Sequence, residues 1–460
     1  MQYTPAVDDF VNCLRRSGLV DERETDALVD GLAQDGVDVG DPKQIAAALV
    51  RNETLTKWQA EMLLRGKRRG FVLGKYRLLG LLGRGANNSV YIGEHSLMHR
   101  RCAIKVLPTK NLSSSSTALS RFQQEARAVA LLDHTNIVRA YDLGQDKDGK
   151  SIVHFFVMEL VEGESFEERV SRDGPLPAID AADLIRQAAD GLAHAHKAGI
   201  IHRDIKPANL LVDRQGVVKI LDLGLAKISD ILSDESPVLG TADFLAPEQA
   251  LDAKTADARS DVYSLGCTFY FVLCGQPPFS GGTLSERLVR HLFETPVALA
   301  RKRPDLPPDL TSLVHRMLAK NPNERIQTSA EVCSLLRSWL LKHADRQWLR
   351  AHPALLGGGG TGEPTDAAKL APSDQDMGQV AQRPATESVV TTRVAEVLAG
   401  TAAPDLVPVM EHPGAAATFL GAEEFQVPIS PVTRSLMKDP AEPGALRSWL
   451  ARASKKLRRE

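Results

Sequence analysis

Four polar side chains that can do chemistry together fall within twenty residues. The segment Ile201-His202-Arg203-Asp204-Ile205-Lys206-Pro207-Ala208-Asn209-Leu210-Leu211-Val212 puts a carboxylate, an ammonium and an amide on one short loop between apolar runs. A second carboxylate follows in Lys219-Ile220-Leu221-Asp222-Leu223-Gly224, beyond a polar turn at 213–216. Two short apolar strands joined by that turn bring Asp204, Lys206, Asn209 and Asp222 to one cleft. Asn209 and Asp222 offer hard oxygen ligands, which suit Mg²⁺, or Mn²⁺ in its place, rather than zinc. Asp204 is then left to orient an attacking hydroxyl and accept its proton.

Such a cleft needs elements that hold it, and these lie upstream. Alternation from Tyr76 to Leu82 reads as a strand running into Gly83-Arg84-Gly85-Ala86-Asn87-Asn88-Ser89-Val90. Glycines there let a hairpin approach phosphates and offer backbone N–H donors. The strand Cys102–Leu107 has one charged member, Lys105. Residues 120–132 read as a helix with Phe122, Ala126, Val129 and Leu132 on one stripe and Glu125 beside it. The runs 137–143 and 152–158 read as strands joined by a polar turn from Asp146 to Gly149. Residues 181–198 read as a helix stopped by Gly199, and a very apolar helix opens at Asp261, which is placed as its N-cap.

This ordered set resembles the protein kinases, and within them the eukaryotic-like serine/threonine kinases of bacteria; the motifs run from Tyr76 to Leu341. The resemblance implies a bilobal α+β fold, with a small β-rich N-lobe and a larger helical C-lobe. It implies Mg²⁺-dependent transfer of the ATP γ-phosphoryl group to Ser/Thr hydroxyls of proteins, with a place in signalling. Asp204 would serve as the base and Lys206 would neutralise the phosphoryl group. Asn209 and Asp222 would hold the metal, and Lys105, paired with Glu125, would hold the α- and β-phosphates. Gly83, Gly85 and Val90 match the glycine-rich loop. Val90, Ala103, Met158 and Leu211 would line the adenine site, with the backbone of Glu159 and Val161 reading its edge. Lys206 in Asp-x-Lys-Pro-x-Asn resembles the serine/threonine class. Glu248 and Arg325 resemble a buried ion pair of the lower lobe, and Asp261 an anchor for the catalytic-loop backbone. Autophosphorylation at Ser233 or Ser236 is expected, with Arg203 as cationic partner. The chain departs from the family at Asn88, where a third glycine is usual, and at Leu223, where phenylalanine is. These two departures are what supports the rival reading of a pseudokinase acting as a nucleotide-binding scaffold.

The totals agree with a multi-part chain. Its 460 residues exceed one ordinary domain. With 56 basic and 58 acidic side chains, nothing argues for nucleic acid as a partner. Five scattered cysteines without a Cys-x-x-Cys pair argue against a disulfide framework or zinc site and for a reducing cytoplasm. Residues 1–10 lack the layout of a signal peptide, and no apolar run approaches a membrane span. We divide the chain into a helical extension (1–70), a kinase domain (76–345), a disordered low-complexity stretch (353–444) and a basic amphipathic segment (445–460) suited to peripheral membrane contact. Homodimerisation is compatible with the sequence but not specified by it.

Overall fold

Residues 5–64 form four short helices because the breakers fall between the apolar stripes: α1 (Pro5–Arg15), α2 (Thr25–Gln34), α3 (Pro42–Arg51) and α4 (Lys57–Leu64). Asp41 caps α3, with Pro42 in its first turn. Thr56 and Gln59 form a reciprocal capping box on α4. Their apolar faces close over a core that includes Phe10, Leu14, Val29, Ile45, Leu49, Leu63 and Phe71. The computed structural model that shows this describes residues 5–84, 89–107, 127–148, 151–223, 241–252 and 255–355. Gly85, Glu125, Ser233, Ser236 and the basic segment 445–460 lie outside the described residues.

A six-stranded antiparallel sheet follows, in the order β1-β2-β3-β4-β6-β5: β1 (Val72–Leu73), β2 (Tyr76–Arg84), β3 (Ser89–His95), β4 (Arg101–Leu107), β5 (Ala140–Asp148) and β6 (Ser151–Met158). Leu78, Cys102, Ile104, Phe155 and Val157 make its core. The sequence places β5 at 137–143 and a turn from Asp146 to Gly149. Instead β5 runs on to Asp148, with Asp146 and Lys147 paired to Val153 and Ile152. Charged residues fit there because β5 is an edge strand, where one side of each residue meets water.

The chain leaves β6 through 159–162 and enters β7 (Gly163–Ser165), which pairs with β8 (Leu210–Asp213), and β8 in turn pairs with β9 (Val218–Ile220). Gly163 is required at that crossing: a Cβ there would sit 2.1 Å from the carbonyl oxygen of Val212. Below lie α5 (Phe166–Asp173), α6 (Ala178–Lys197), α7 (Pro247–Leu251), α8 (Ala258–Cys274), α9 (Leu284–Phe293), α10 (Leu299–Lys302), α11 (Pro308–Met317), α12 (Ser329–His343) and α13 (Arg346–Ala351). Helix α8 is apolar almost all round, burying Val262, Leu265, Phe269, Tyr270 and Leu273, and such a helix belongs at the centre of a lobe. It ends at Gly275 in the left-handed conformation. This is the expected bilobal α+β architecture, preceded by the helical bundle. Among the described residues, no helix is long and apolar enough to cross a membrane.

Candidate active site

Lys105 sits on β4, a central strand flanked by β3 and β6, with Val90 and Phe156 as its cross-strand partners. The residue is only 7% exposed, so its ammonium needs a close counter-charge. That charge is Asp222, whose Oδ2 lies 2.7 Å from Lys105 Nζ. One ion pair thus joins the sheet to the loop after β9. Burial works against the charged Asp222 carboxylate. The Lys105 ammonium, helped by His202 and Lys206, outweighs it and holds the carboxyl below its usual range. Asp222 has a positive φ of 57°, a conformation that Asp tolerates better than most residues.

The second half of the site is the loop before β8. Asp204 Oδ2 accepts from Lys206 Nζ at 2.9 Å and from Asn209 Nδ2 at 2.9 Å. Asn209 Nδ2 also donates to the Asp204 carbonyl at 2.8 Å, so the three side chains form one connected group. Their spacing follows from a single 3₁₀ turn, Pro207–Asn209, opened by the proline.

The loop is fixed from below by Asp261. Its carboxylate accepts the backbone N–H groups of His202 and Arg203, both at 2.8 Å, and the His196 ring through Nε2 at 2.8 Å. Arg203 has φ 68°, costly for a residue that is neither Gly, Asn nor Asp, and this carboxylate holds it there. Gln249 Nε2 donates to the Arg203 carbonyl at 3.0 Å. The expectation that Asp261 caps α8 is corrected: Asp257 is the N-cap, accepting from Arg259 N–H, while Asp261 lies inside the helix. That frees the Asp261 carboxylate for the loop.

His202, fully buried, is a residue that spacing alone did not single out. Its Nδ1 accepts the Asp204 N–H at 3.2 Å and its Nε2 donates to the Leu221 carbonyl at 2.7 Å. It therefore ties the Asp204 backbone to the residue before Asp222. Only its place in His-Arg-Asp signals it in the sequence. Glu248 and Arg325 make two bonds of 2.7 Å, with the Arg325 side chain wholly buried. Burial again opposes the Glu248 charge, and Arg325 with Ser260 outweighs it, so the carboxyl lies below its usual range.

On the sheet side, Ala103 and Met158 lie opposite one another on β4 and β6, both buried. Val90 on β3 and Leu211 on β8 are half-buried. Gly83 pairs with Val90 at the described end of the β2–β3 hairpin. The Glu159 N–H is committed to the Arg139 carbonyl at 2.9 Å. This narrows the expected hinge groups: among the described residues no backbone bond takes the Glu159 carbonyl or the Val161 N–H. The Glu159 carboxylate pairs with Lys219 on β9 at 3.0 Å, a contact the sequence did not announce.

The residues present suit a magnesium–nucleotide pair. Among the described residues no cluster of three His, Cys, Asp or Glu forms a complete metal cage. Mg²⁺ does not need one, because it is commonly bound by one or two protein oxygens with phosphate and water completing the shell. Asp222 provides a carboxylate. Asn209 uses its amide nitrogen for Asp204, which leaves its oxygen as the ligand atom. Lys105 and Lys206 supply two cations for phosphate oxygens.

Comparison with known proteins agrees with this geometry. The family described as protein kinase domain matches residues 76–337. The chain is 38% identical over 262 residues to the serine/threonine-protein kinase PknB of Mycolicibacterium smegmatis, covering 56% of this chain and 42% of that protein. It is 36% identical over 273 residues to the serine/threonine-protein kinase PrkC of Bacillus subtilis (59% and 41%). It is 36% identical over 290 residues to a probable serine/threonine-protein kinase PknB of Corynebacterium glutamicum (61% and 44%). A bilobal fold in which a sheet lysine pairs with an aspartate on the loop after β9, beside the loop that carries Asp204, Lys206 and Asn209, is the architecture of a protein kinase domain. The chain belongs to the protein kinase family, in the bacterial eukaryotic-like serine/threonine branch. The matched region spans less than half the length of these relatives.

Proposed function

We propose that this chain is a serine/threonine protein kinase that moves the γ-phosphoryl group of ATP to Ser or Thr hydroxyls of protein substrates. The observation that carries this reading is the Lys105–Asp222 pair beside the bonded group of Asp204, Lys206 and Asn209, with Lys206 close enough to favour the Asp222 charge. Asp204 orients the substrate hydroxyl and takes its proton as the oxygen bonds to phosphorus and the bond to ADP breaks. Lys206, already 2.9 Å from Asp204, balances the charge gathering on the transferred group. Lys105 holds the α- and β-phosphates. Gly83 and Val90 cover them, and Ala103, Met158 and Leu211 enclose the base. Asn209 and Asp222 are the residues that hold Mg²⁺, which when bound screens phosphate charge and orients the nucleotide. Lys105 bridges to Asp222 in the chain as described, and a nucleotide with its metal would divide that pair, each partner taking a new counter-ion.

The test is transfer of labelled phosphate from ATP to the chain itself and to a generic basic protein, with Asp204→Asn as the control. Transfer that survives in Asp204→Asn at the parental rate, or no transfer by the parent, would sink the reading.

A further inference from the structure

The strands leading into the glycine-rich turn carry a fastening outside the cleft. The register of β2 with β3 shifts between Leu78 and Gly80, and again between Leu81 and Gly83. A bulged strand leaves main-chain groups outside the regular ladder. At the first shift two carbonyls are met by side chains of α4: Thr56 Oγ donates to Leu79 at 2.5 Å and Gln59 Nε2 to Leu78 at 2.6 Å. Gln59 is fully buried, and its other amide atom, Oε1, accepts the Thr56 N–H at 2.9 Å. The Thr56 hydroxyl also accepts the Gln59 N–H at 3.2 Å. The two residues that start α4 are therefore the two that hold the bulge.

Neighbouring contacts reinforce this seam. Arg77 on β2 donates to the Thr54 carbonyl at 2.6 Å. Trp58 meets Phe71 of the helical core edge-on at 5.8 Å and Tyr91 of β3 at 5.7 Å. The helical bundle is thus attached to the hairpin strands that the proposed function assigns to the nucleotide.

We propose that Thr56 and Gln59 are positioning residues for nucleotide binding: α4 grips β2 at its bulge and fixes the β2–β3 hairpin where Gly83 and Val90 meet ATP. This rests on the kinase reading, because it assigns those strands to ATP. The two side chains touch neither nucleotide nor substrate and act through the β2 backbone.

The experiment compares Thr56→Val, Thr56→Ser and Gln59→Glu in the full chain. Thr56→Val removes the hydroxyl at nearly constant shape. Gln59→Glu keeps the acceptor for the Thr56 N–H but turns a carboxylate oxygen toward the Leu78 carbonyl. Expected is a rise of about three- to tenfold in KM for ATP for Thr56→Val and Gln59→Glu, with kcat within about twofold of the parent. Equilibrium binding of a fluorescent ATP analogue should weaken by the same factor, and Thr56→Ser should restore parental affinity. Should Gln59→Glu fail to fold, Thr56→Val decides alone. Variants that melt lower yet bind the analogue with parental affinity would overturn the inference, showing a fastening that is structural only. A parent that binds the analogue but transfers no phosphate would defeat the kinase reading while leaving this binding comparison intact.

Discussion

The catalytic loop and the β2–β3 hairpin are both irregular in backbone but are seated in different ways. The loop rests on Asp261, a fully buried carboxylate in the first turn of an apolar helix, which accepts two backbone N–H groups and a histidine. The hairpin rests on a hydroxyl and an amide that reach across from a separate helical core. Both seats answer the same need, because irregular backbone leaves main-chain groups that only side chains can satisfy. They differ in strength. Bonds to an ionised acceptor are roughly twice as strong as neutral ones. Asp261 also belongs to the lower lobe's single packed interior, whereas the Thr56–Gln59 seam joins two cores. The difference teaches that the loop carrying Asp204 is seated on a carboxylate of its own lobe, and the hairpin on neutral groups of a separate helical core.

The largest expected effect leaves both seats intact. Asp204→Asn should lower kcat by about 10²–10⁴-fold while the thermal midpoint stays within about 2 °C. A large drop in midpoint would mean that Asp204 is a structural group instead. Next, Arg325→Met strands the Glu248 carboxylate among buried groups and should cost about 3–5 kcal/mol in urea unfolding. A cost below about 1 kcal/mol would show that the lower lobe is less stiffly fastened than the comparison holds.

Asp261→Asn tests the stronger seat directly, since an amide cannot accept all three donors. A loss of about 2–3 kcal/mol in stability is expected. A fall in kcat should accompany it, unlike the KM effect expected at Thr56. Parallel changes in KM at both sites would erase the distinction between the seats.

The smallest effect is on pH dependence. Asp222 and Glu248 both have carboxyls held below the usual range. Their pairing therefore stabilises the fold fully above the unfolded carboxyl value, about 4. That contribution is lost as pH falls through the lower folded values. Unfolding midpoints measured from pH 7 down to 3 should drop in this acid window for the parent, and less steeply for Lys105→Met. Equal slopes would show that Lys105 does not set the Asp222 titration.

How much was legible follows from how local each feature is. The group Asp204, Lys206 and Asn209 is read directly because six residues and one proline-opened turn contain it. Asp261 is a different case: two acidic residues stand near the start of α8, and propensity alone does not tell a cap from an anchor. The partners that decide it lie 58 and 59 residues away. The charged end of β5 reads as a turn until its edge position is known. Gln59 looks like any polar helix residue, and only the β2 bulge gives it work.

The sequence by itself determined the order of the motifs, the helix ends set by glycine and proline, and the grouping of Asp204, Lys206 and Asn209 on one loop, all encoded over short spans. Tertiary structure alone decided that Lys105 pairs with Asp222 and that the helical bundle grips the hairpin. Those contacts join residues far apart in the chain. Their existence depends on burial and on which main-chain groups the fold leaves unpaired, and neither is written in local spacing.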